Sequence, residues 1–388
     1  MKLSRTEIFS YLLALFLVYS TIANFSIYFI GIIPLLGVFG LLYLYGLQIR
    51  PSIIAREKSK DTLYFILGWG VTFAISFFVN YAFPRFLIIY GFLVCLFILS
   101  LRNDIQTDVF RKFVWMLTFL LILSATEYII FILTGKGLLI AHVTRVTQAA
   151  QRDFNHYLFN IITPMDILYR FKGLFPEPGI MGTLCAFLLF ATWDDKSLRF
   201  PFYVFLACGM MTLSLGFYVF LSIFLVTHFN LNIKAILGGI VLTAAFFYVF
   251  GENFKGRLVD RLTEADNIEE LDNRTTAIFD RYFERAYYQG DLWLGVGSDK
   301  MPSQVNSEGG NAGLKKWIFQ YGIIETFILF IVYNAIYYRR CKKRLGFHDL
   351  VFLFVYWLCF YKTVPLLAPT QFFVFTLIPI INRQTKEI

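Results

Sequence analysis

Apolar residues follow one another along this chain in long runs that short polar stretches separate. A helix that crosses a bilayer needs about 20 mostly apolar residues, and about twelve runs approach that length. They lie near residues 7–24, 27–47, 62–81, 85–102, 112–134, 178–194, 200–214, 215–230, 235–250, 314–338, 349–364 and 367–382. The runs 200–214 and 215–230 are short and nearly continuous, so they are either two spans or one broken span.

The positions of lysine and arginine decide between these two topologies. Cytoplasmic connections of membrane proteins are enriched in both residues. If the N-terminus is cytoplasmic and every run spans, lysine and arginine cluster in the inside connections, whereas the short outside connections carry almost none besides Arg85. The inside connections are 48–61, 102–112, 192–199, the turn with Lys234, 339–348 and the C-terminal tail. Fusing the runs 200–214 and 215–230 would place the basic stretch 339–344 outside. The pattern therefore predicts an all-α polytopic integral membrane protein with about 12 transmembrane helices and both termini cytoplasmic.

The composition agrees with this membrane fold. Hydrophobic residues make up 58% of the chain and charged residues 16%, whereas a soluble domain is about half apolar and about a quarter charged. The net charge of +9 indicates basic cytoplasmic loops, or phosphate-bearing ligands, rather than nucleic acid. The N-terminal run favours a first span over a cleaved signal peptide. The five cysteines form no CxxC pair and are interpreted as small apolar residues: Cys95, Cys185, Cys208, Cys341 and Cys359.

Two polar segments, 135–177 and 251–313, are too long to be turns, and both face outside in this topology. The chain is therefore expected to be a single transmembrane domain, 1–388, with two outer loops. At helical spacing, one face of the first loop would carry His142, Arg145, Arg152 and His156. This predicts an amphipathic helix whose polar face is either solvated at the membrane surface or a basic wall for an anionic ligand.

The second loop contains a stripe of three arginines at spacing i, i+7, i+11: Arg274, Arg281 and Arg285. A separate apolar face is formed by Phe279, Tyr282, Phe283 and Ala286. The pattern predicts a second amphipathic helix. Guanidinium groups bind phosphate in a bidentate manner, so the stripe is a candidate phosphate site. The alternatives are pairing with neighbouring carboxylates and contact with lipid phosphates.

The stretch RFKGLFPEPGIMG, residues 170–182, opens the sixth span. Pro178 suits the first position of a helix, where its missing N–H is not needed. Glu177 would then lie at the helix mouth, where the positive end of the dipole favours a carboxylate. Three roles stay open for Glu177: it caps the helix, it orients Arg170, or it takes a proton from a substrate.

This stretch resembles the signature loop of bacterial O-antigen polymerases, a family related to the O-antigen ligases. The matching residues are Arg170, Gly173, Phe175, Glu177, Pro178 and Gly182. Further similar pieces follow in the family's order: a T-x-S break at Thr212 and Ser214, Arg274, the pair Gly295 and Gly297, and Tyr321-Gly322-Ile323-Ile324. The arginine that often follows the serine is missing. The second loop contains no histidine, unlike that of the ligases, which favours polymerase over ligase.

The resemblance implies a glycosyltransferase of the bacterial inner membrane that joins polyprenyl-pyrophosphate-linked oligosaccharides at the periplasmic face. The implied partners are the lipid-linked donor and acceptor, membrane lipids and a chain-length regulator protein. Arginines would stabilise the charge of the leaving diphosphate, so no metal or other cofactor is expected. The expected catalytic residues are Glu177 as general base, Arg170 and Arg274. Expected substrate-binding residues are Lys172, Arg281, Arg285, Arg145, Arg152 and His156, and either His156 or His142 is an alternative base.

A lipid-linked oligosaccharide flippase, or another transporter, is the main rival from a different class. Transporters are expected to carry charges within their spans, near the membrane midplane. The apolar runs of this chain hold few ionisable groups, apart from Glu127 and Glu325. This distribution favours an enzyme at the outer membrane boundary.

Overall fold

The computed structural model of this chain is mostly helical and has one small antiparallel sheet. It describes residues 4–21, 32–54, 59–78, 86–146, 151–162, 170–175, 177–228, 277–297, 313–342, 344–360, 366 and 368–384. The predicted span 235–250 and the predicted site residue Arg274 lie outside these described residues.

The helices follow the apolar runs. In the first half of the chain they are α1 Arg5–Thr21, α2 Ile32–Gln48, α3 Arg50–Ile53, α4 Ser59–Phe78, α5 Phe86–Ser100 and α6 Asn103–Thr134. In the second half they are α7 Pro178–Thr192, α8 Arg199–Met211, α9 Leu215–His228, α10 Ala277–Gln289, α11 Gly313–Arg340, α12 Phe347–Cys359 and α13 Pro369–Gln384. The strands are β1 Leu139–Val146, β2 Gln151–Tyr157 and β3 Ile161–Ile162, in the order β1-β2-β3.

Several of these helices can cross a membrane. In the part of the chain that is described, three helical segments are long and apolar enough to do so: Lys60–Phe78, Asn103–Thr134 and Gly313–Arg340. Shorter apolar helices of 10–17 residues accompany them, among them Pro178–Thr192 and Leu215–His228. The chain is therefore a helical membrane protein, while the number of twelve spans and their orientation stay predictions.

Helix α6 begins earlier than the apolar run predicts. Residues 103–112 were expected to belong to a cytoplasmic loop, but they form the first turns of α6. At about 1.5 Å per residue, its 32 residues extend for about 48 Å, well beyond a hydrocarbon core of about 30 Å. Charged residues in these turns are paired, as in Lys112 Nζ with Asp108 Oδ2 at 2.6 Å, which makes a polar helix end stable outside the apolar layer.

Helix α7 lies at the centre of the molecule. Nearly all of its residues are buried, as expected for a helix that is apolar on every side. It packs against α8, α9 and α13. The Phe187 ring lies 6.2 Å from Phe220 of α9 and 5.7 Å from Phe352 of α12. Helix α7 is therefore held by its neighbours on several sides.

Helices α8 and α9 form an antiparallel hairpin, so the two short runs are two separate helices. At one end of the hairpin, the ring of Phe202 from α8 lies 5.8 Å from that of Phe224 from α9. At the other end, Gly182 of α7 meets both Thr212 and Phe217. The chain reverses at residues 212–214, where Leu213 has a positive φ of 49°.

The opposite end of the molecule contains a buried ionic network. Arg339 Nε donates to Asp61 Oδ1 at 2.7 Å. Arg340 Nη1 donates to Gln106 Oε1 at 3.1 Å and to the carbonyl of Thr376 at 2.9 Å. These contacts join α4, α6, α11 and α13. Part of the basic stretch 339–344 is thus a structural tie between helices and not a solvated loop.

Candidate functional site

The candidate site is built around the first turn of α7. Pro178 is at the start of the helix, as predicted, and Glu177 precedes it with extended backbone angles (φ −139°, ψ 143°). The Glu177 carbonyl accepts hydrogen bonds from the backbone N–H groups of Ile180 and Met181 at 3.1 and 3.3 Å. Its side chain is exposed and makes no capping hydrogen bond. The side-chain capping role considered for Glu177 is therefore wrong, and its carboxylate faces solvent at the helix mouth.

Arg170 binds the break between α8 and α9. Its Nε donates to the carbonyl of Thr212 at 3.1 Å, and its Nη2 donates to the carbonyl of Leu213 at 2.9 Å. A helix end leaves its last carbonyls without helical partners, and a charged donor is a strong partner for them. Arg170 thus links the end of the first outer loop to a turn 42 residues further along the chain.

A glycine makes a second contact between the same two segments. A Cβ atom added at Gly182 would lie 3.0 Å from both Ser214 Cβ and Thr212 Oγ1, a distance at which the neighbours would have to shift. Thr212 and Ser214 are themselves buried, and the Thr212 hydroxyl donates to the Gly209 carbonyl at 2.6 Å. The absence of a side chain at position 182 therefore allows α7 to approach the break closely.

Lys172, two residues after Arg170, forms a buried basic pair with His156. Both side chains are almost fully buried, as are their neighbours Phe171 and Phe175. Burial, and then the positive charge of Lys172, lower the pKa of His156 below its ordinary value. His156 is therefore neutral at neutral pH and can accept a proton or a hydrogen bond.

The predicted amphipathic helix of the first loop is wrong, because Leu139–Val146 and Gln151–Tyr157 form the antiparallel strands β1 and β2. Their register pairs Arg145 with Arg152 and Ala141 with His156. The register thus places the backbones of residues 145 and 152 opposite each other, while His156 is buried. The Nδ1 of His142 lies 2.5 Å from Asn155 Oδ1.

The amphipathic helix of the second loop is confirmed as α10. Phe279 and Ala286 are buried against Phe319 of α11, with Tyr282 and Phe283 packed beside them. Arg281 and Arg285 are exposed on the opposite face. The contacts of α10 are to the 3₁₀ turn Asp291–Trp293 and to α11, whereas Arg170 and Lys172 belong to the surroundings of α6 to α9. In the described part of the chain, Arg281 and Arg285 therefore have other neighbouring elements than Arg170 and Lys172.

Two glycines join the second loop to α11. Gly322 interrupts α11 with φ 87° and ψ 164°, a conformation that essentially only glycine adopts. The carbonyls of Phe319 and Gln320 accept hydrogen bonds from the N–H groups of Val296 and Gly297 at 2.7 and 3.2 Å. A Cβ added at Gly295 would lie 2.6 Å from the Gly322 nitrogen. The two glycine motifs noted in the sequence therefore meet backbone to backbone.

Some residues of this region were not predicted as parts of the site. Glu127 and Asn160 are buried and hydrogen-bonded to each other, and the carbonyls of Thr212 and Leu213 receive Arg170. The sequence signal for Glu127 was a carboxylate within an apolar run. Backbone carbonyls give no such signal, because every residue has one.

The described side chains include no group of three or more His, Cys, Asp or Glu residues that could hold a metal ion. No protein-family model matches this chain. None of the curated proteins compared with it matches either.

Proposed function

We propose that this protein is a polysaccharide polymerase of the bacterial inner membrane, which joins lipid-linked oligosaccharide repeat units at the periplasmic face. One observation carries the proposal. Arg170 donates two hydrogen bonds to the break at Thr212 and Leu213. Two motifs that resemble those of O-antigen polymerases therefore contact each other beside a buried basic pair and an exposed carboxylate.

The proposed reaction is a glycosyl transfer between two polyprenyl-pyrophosphate-linked glycans. A hydroxyl oxygen of the acceptor sugar bonds to the anomeric carbon of the donor, and the bond from that carbon to the diphosphate oxygen breaks. The hydroxyl proton passes to a base of the protein, and polyprenyl pyrophosphate leaves as an anion. Such a reaction requires positive charge at the diphosphate and a proton acceptor at the hydroxyl.

The positive charge at the diphosphate is proposed to come from lysine and arginine side chains. Lys172 is buried next to His156, where a positive charge interacts more strongly with an anion than in water. The Nε and Nη2 of Arg170 point to backbone carbonyls, so its proposed role is to hold the break and to add its charge to the site. Arg274 is proposed, from the resemblance, to bind the diphosphate. Outer substrate-binding positions are proposed for Arg145, Arg152, Arg281 and Arg285.

Glu177 is the proposed general base. Its carboxylate is exposed next to the first turn of α7, where a substrate hydroxyl could reach it from the periplasmic side. His156 is the second candidate, since its lowered pKa keeps it neutral. It is buried, however, which makes direct contact with a sugar more difficult than for Glu177.

A transporter or flippase remains the second candidate function because of one feature of α11. The helix is interrupted at Gly322, and Glu325 follows in the same helix as a fully buried carboxylate. Interrupted helices and buried charges are typical of transporters. The cations and the exposed carboxylate of the candidate site belong instead to segments that are predicted to be outer loops, which supports the enzyme.

Replacing Arg170 by alanine tests the proposal. The variant is expressed in a strain that lacks the chromosomal gene. We expect Arg170→Ala to abolish long-chain glycan there, because the break loses the two hydrogen bonds that the Arg170 guanidinium donates. Arg199→Ala is the matched control, since Arg199 is an exposed arginine at the start of α8, at the other end of the same hairpin. Glycan length is measured on gels, and protein amount by immunoblot.

The glycan profile of the strain without the gene separates the three functions. A surface glycan with a single repeat unit identifies a polymerase. The loss of all glycan from the final lipid acceptor at the surface identifies a ligase. Repeat units retained on the inner face identify a flippase. A normal ladder in Arg170→Ala, at normal protein amount, would contradict the proposed role of this site.

A further inference from the structure

Glu127 is a buried carboxylate in the C-terminal half of α6, one of the helices that can cross the membrane. Its side chain is 8% exposed. A charged group in such a place is costly unless hydrogen bonds or an opposite charge compensate it. Its contacts should therefore indicate why a carboxylate is present at this position.

These contacts form a clamp on the segment that follows strand β2. Glu127 Oε2 accepts hydrogen bonds from the backbone N–H of Phe159 at 2.8 Å and from Asn160 Nδ2 at 3.3 Å. Asn160 Nδ2 also donates to the carbonyl of Ser124 at 2.6 Å, and the Ser124 hydroxyl donates to the carbonyl of Phe159 at 2.7 Å. Two residues one turn apart on α6 thus fix two consecutive residues of the loop.

The clamped segment in turn holds the candidate site. The Ile161 N–H donates to the carbonyl of Gly173 at 2.9 Å. Gly173 has a φ of 52°, and a Cβ there would lie 3.3 Å from Ser124 Oγ. Residues 157–162 are therefore hydrogen-bonded both to α6 and to residues 170–175, which carry Arg170 and Lys172, and His156 immediately precedes this segment.

We propose that Glu127 is a positioning residue, which holds Lys172 and His156 in place through the segment 157–162. It acts as a hydrogen-bond acceptor and transfers no proton. This inference rests on the proposed function, since the positioned groups are those assigned to the diphosphate and to the base. A carboxylate in the span is then explained by enzyme chemistry at the loop and not by transport.

The variants Glu127→Gln and Glu127→Ala show whether Glu127 is needed as a hydrogen-bond acceptor or for its negative charge. Glutamine keeps a carbonyl oxygen for Phe159 and Asn160, whereas alanine removes it. Thr126→Val is the matched control on the same helix, because Thr126 is exposed and its hydroxyl donates to the Ile122 carbonyl within α6. Asn160→Ala weakens the same clamp from the loop side and serves if Glu127→Ala does not fold.

The first readout is the pKa of His156, measured by NMR on histidine-labelled protein, whose chain has four histidines. Burial and Lys172 lower this pKa in the intact protein. We expect the pKa of His156 to rise toward its ordinary value in Glu127→Ala and Asn160→Ala, because the segment 157–162 is no longer fixed and His156 becomes more exposed to water. We expect no change in Glu127→Gln or Thr126→Val. An unchanged pKa in both alanine variants, or a glutamine variant that behaves like alanine, would overturn the proposal.

The second readout is polymer synthesis. A misplaced group can cost about 10²-fold in rate, so we expect a loss of that size in Glu127→Ala and near-normal synthesis in Glu127→Gln. If Glu127→Ala keeps a normal ladder while Arg170→Ala loses it, the positioning role is wrong and the proposed function stands. If both keep it, the proposed function is contradicted, and the His156 pKa alone decides whether the clamp exists.

Discussion

At the scale of single residues, Arg170 shows that a cation next to a proposed phosphate site can have a structural role, as a hydrogen-bond donor to backbone carbonyls. An outer-loop arginine is readily interpreted as a ligand for phosphate, and the sequence motif favours that interpretation. In the structure, its Nε and Nη2 donate to the carbonyls of Thr212 and Leu213. Because a chain reversal at a helix end leaves carbonyls without helical partners, this arginine stabilises the break even before any substrate binds.

A second residue-scale prediction concerns Glu177. If its carboxylate is the general base, Glu177→Gln should lower kcat by about 10²- to 10⁴-fold with little change in KM. The amide keeps the size of the side chain but accepts no proton. The measurement is the rate of polymer formation by purified protein with lipid-linked substrate.

Glu284→Gln is the matched control for this prediction, since Glu284 is an exposed glutamate on α10. It should leave kcat unchanged. If Glu177→Gln retains near-normal kcat, Glu177 is not the base, and His156 becomes the next candidate to replace.

At the scale of elements, the contact between the second loop and α11 depends on two glycines. A Cβ at Gly322 would lie 2.5 Å from the carbonyl carbon of Leu294 and 2.7 Å from the Gly295 nitrogen. We therefore expect Gly322→Ala to lower the stability of the folded protein, since backbone strain of this kind alone costs about 1–3 kcal/mol. Thermal unfolding of the detergent-solubilised protein measures the change.

Gly290→Ala is the control for strain without collision. Gly290 also has a positive φ, 78°, but a Cβ there would meet nothing within 4 Å. We expect it to lower the unfolding temperature by less than Gly322→Ala does. Equal losses in both variants would show that the close backbone approach contributes nothing beyond the dihedral angle.

The elements differ in how well the sequence predicts them. Apolar runs predict most of the membrane helices, because lipid requires uninterrupted apolar surface. The strands β1 and β2 are not predicted from the sequence, because the spacing of the histidines and arginines in the first loop also fits a helix. Its β-branched residues Val143, Thr144 and Val146 favour a strand, but strand preference depends on neighbours that become known only in the fold.

The candidate site is predictable only in part for a related reason. The motif identifies Arg170, Glu177 and Pro178, and the position of Pro178 at the start of α7 is confirmed. The partners of Arg170 are backbone carbonyls 42 and 43 residues away. Such contacts depend on the hairpin of α8 and α9, which brings residues 212–214 back to the first turn of α7.

At the scale of the whole molecule, polar contacts concentrate at the two ends of the helix bundle. One end holds Asp61, Arg339 and Arg340 in a buried network, and the other holds Glu127 and the candidate site. Asp61 is at the start of α4 and Arg340 at the end of α11. The positive-inside rule assigns the network end to the cytoplasm, so the site would face the periplasm.

This orientation can be tested by cysteine labelling, because the five native cysteines are all buried and should react slowly. Lys136 follows α6, whereas Ser197 lies beside Asp195, which pairs with Arg111 at 3.1 Å near the start of α6. Both positions are exposed.

A membrane-impermeant maleimide should label Lys136→Cys in intact spheroplasts and Ser197→Cys only after the membrane is opened. The reverse pattern would place the candidate site in the cytoplasm and exclude a periplasmic polymerase. Labelling of both variants in intact spheroplasts would contradict the crossing of the membrane by α6.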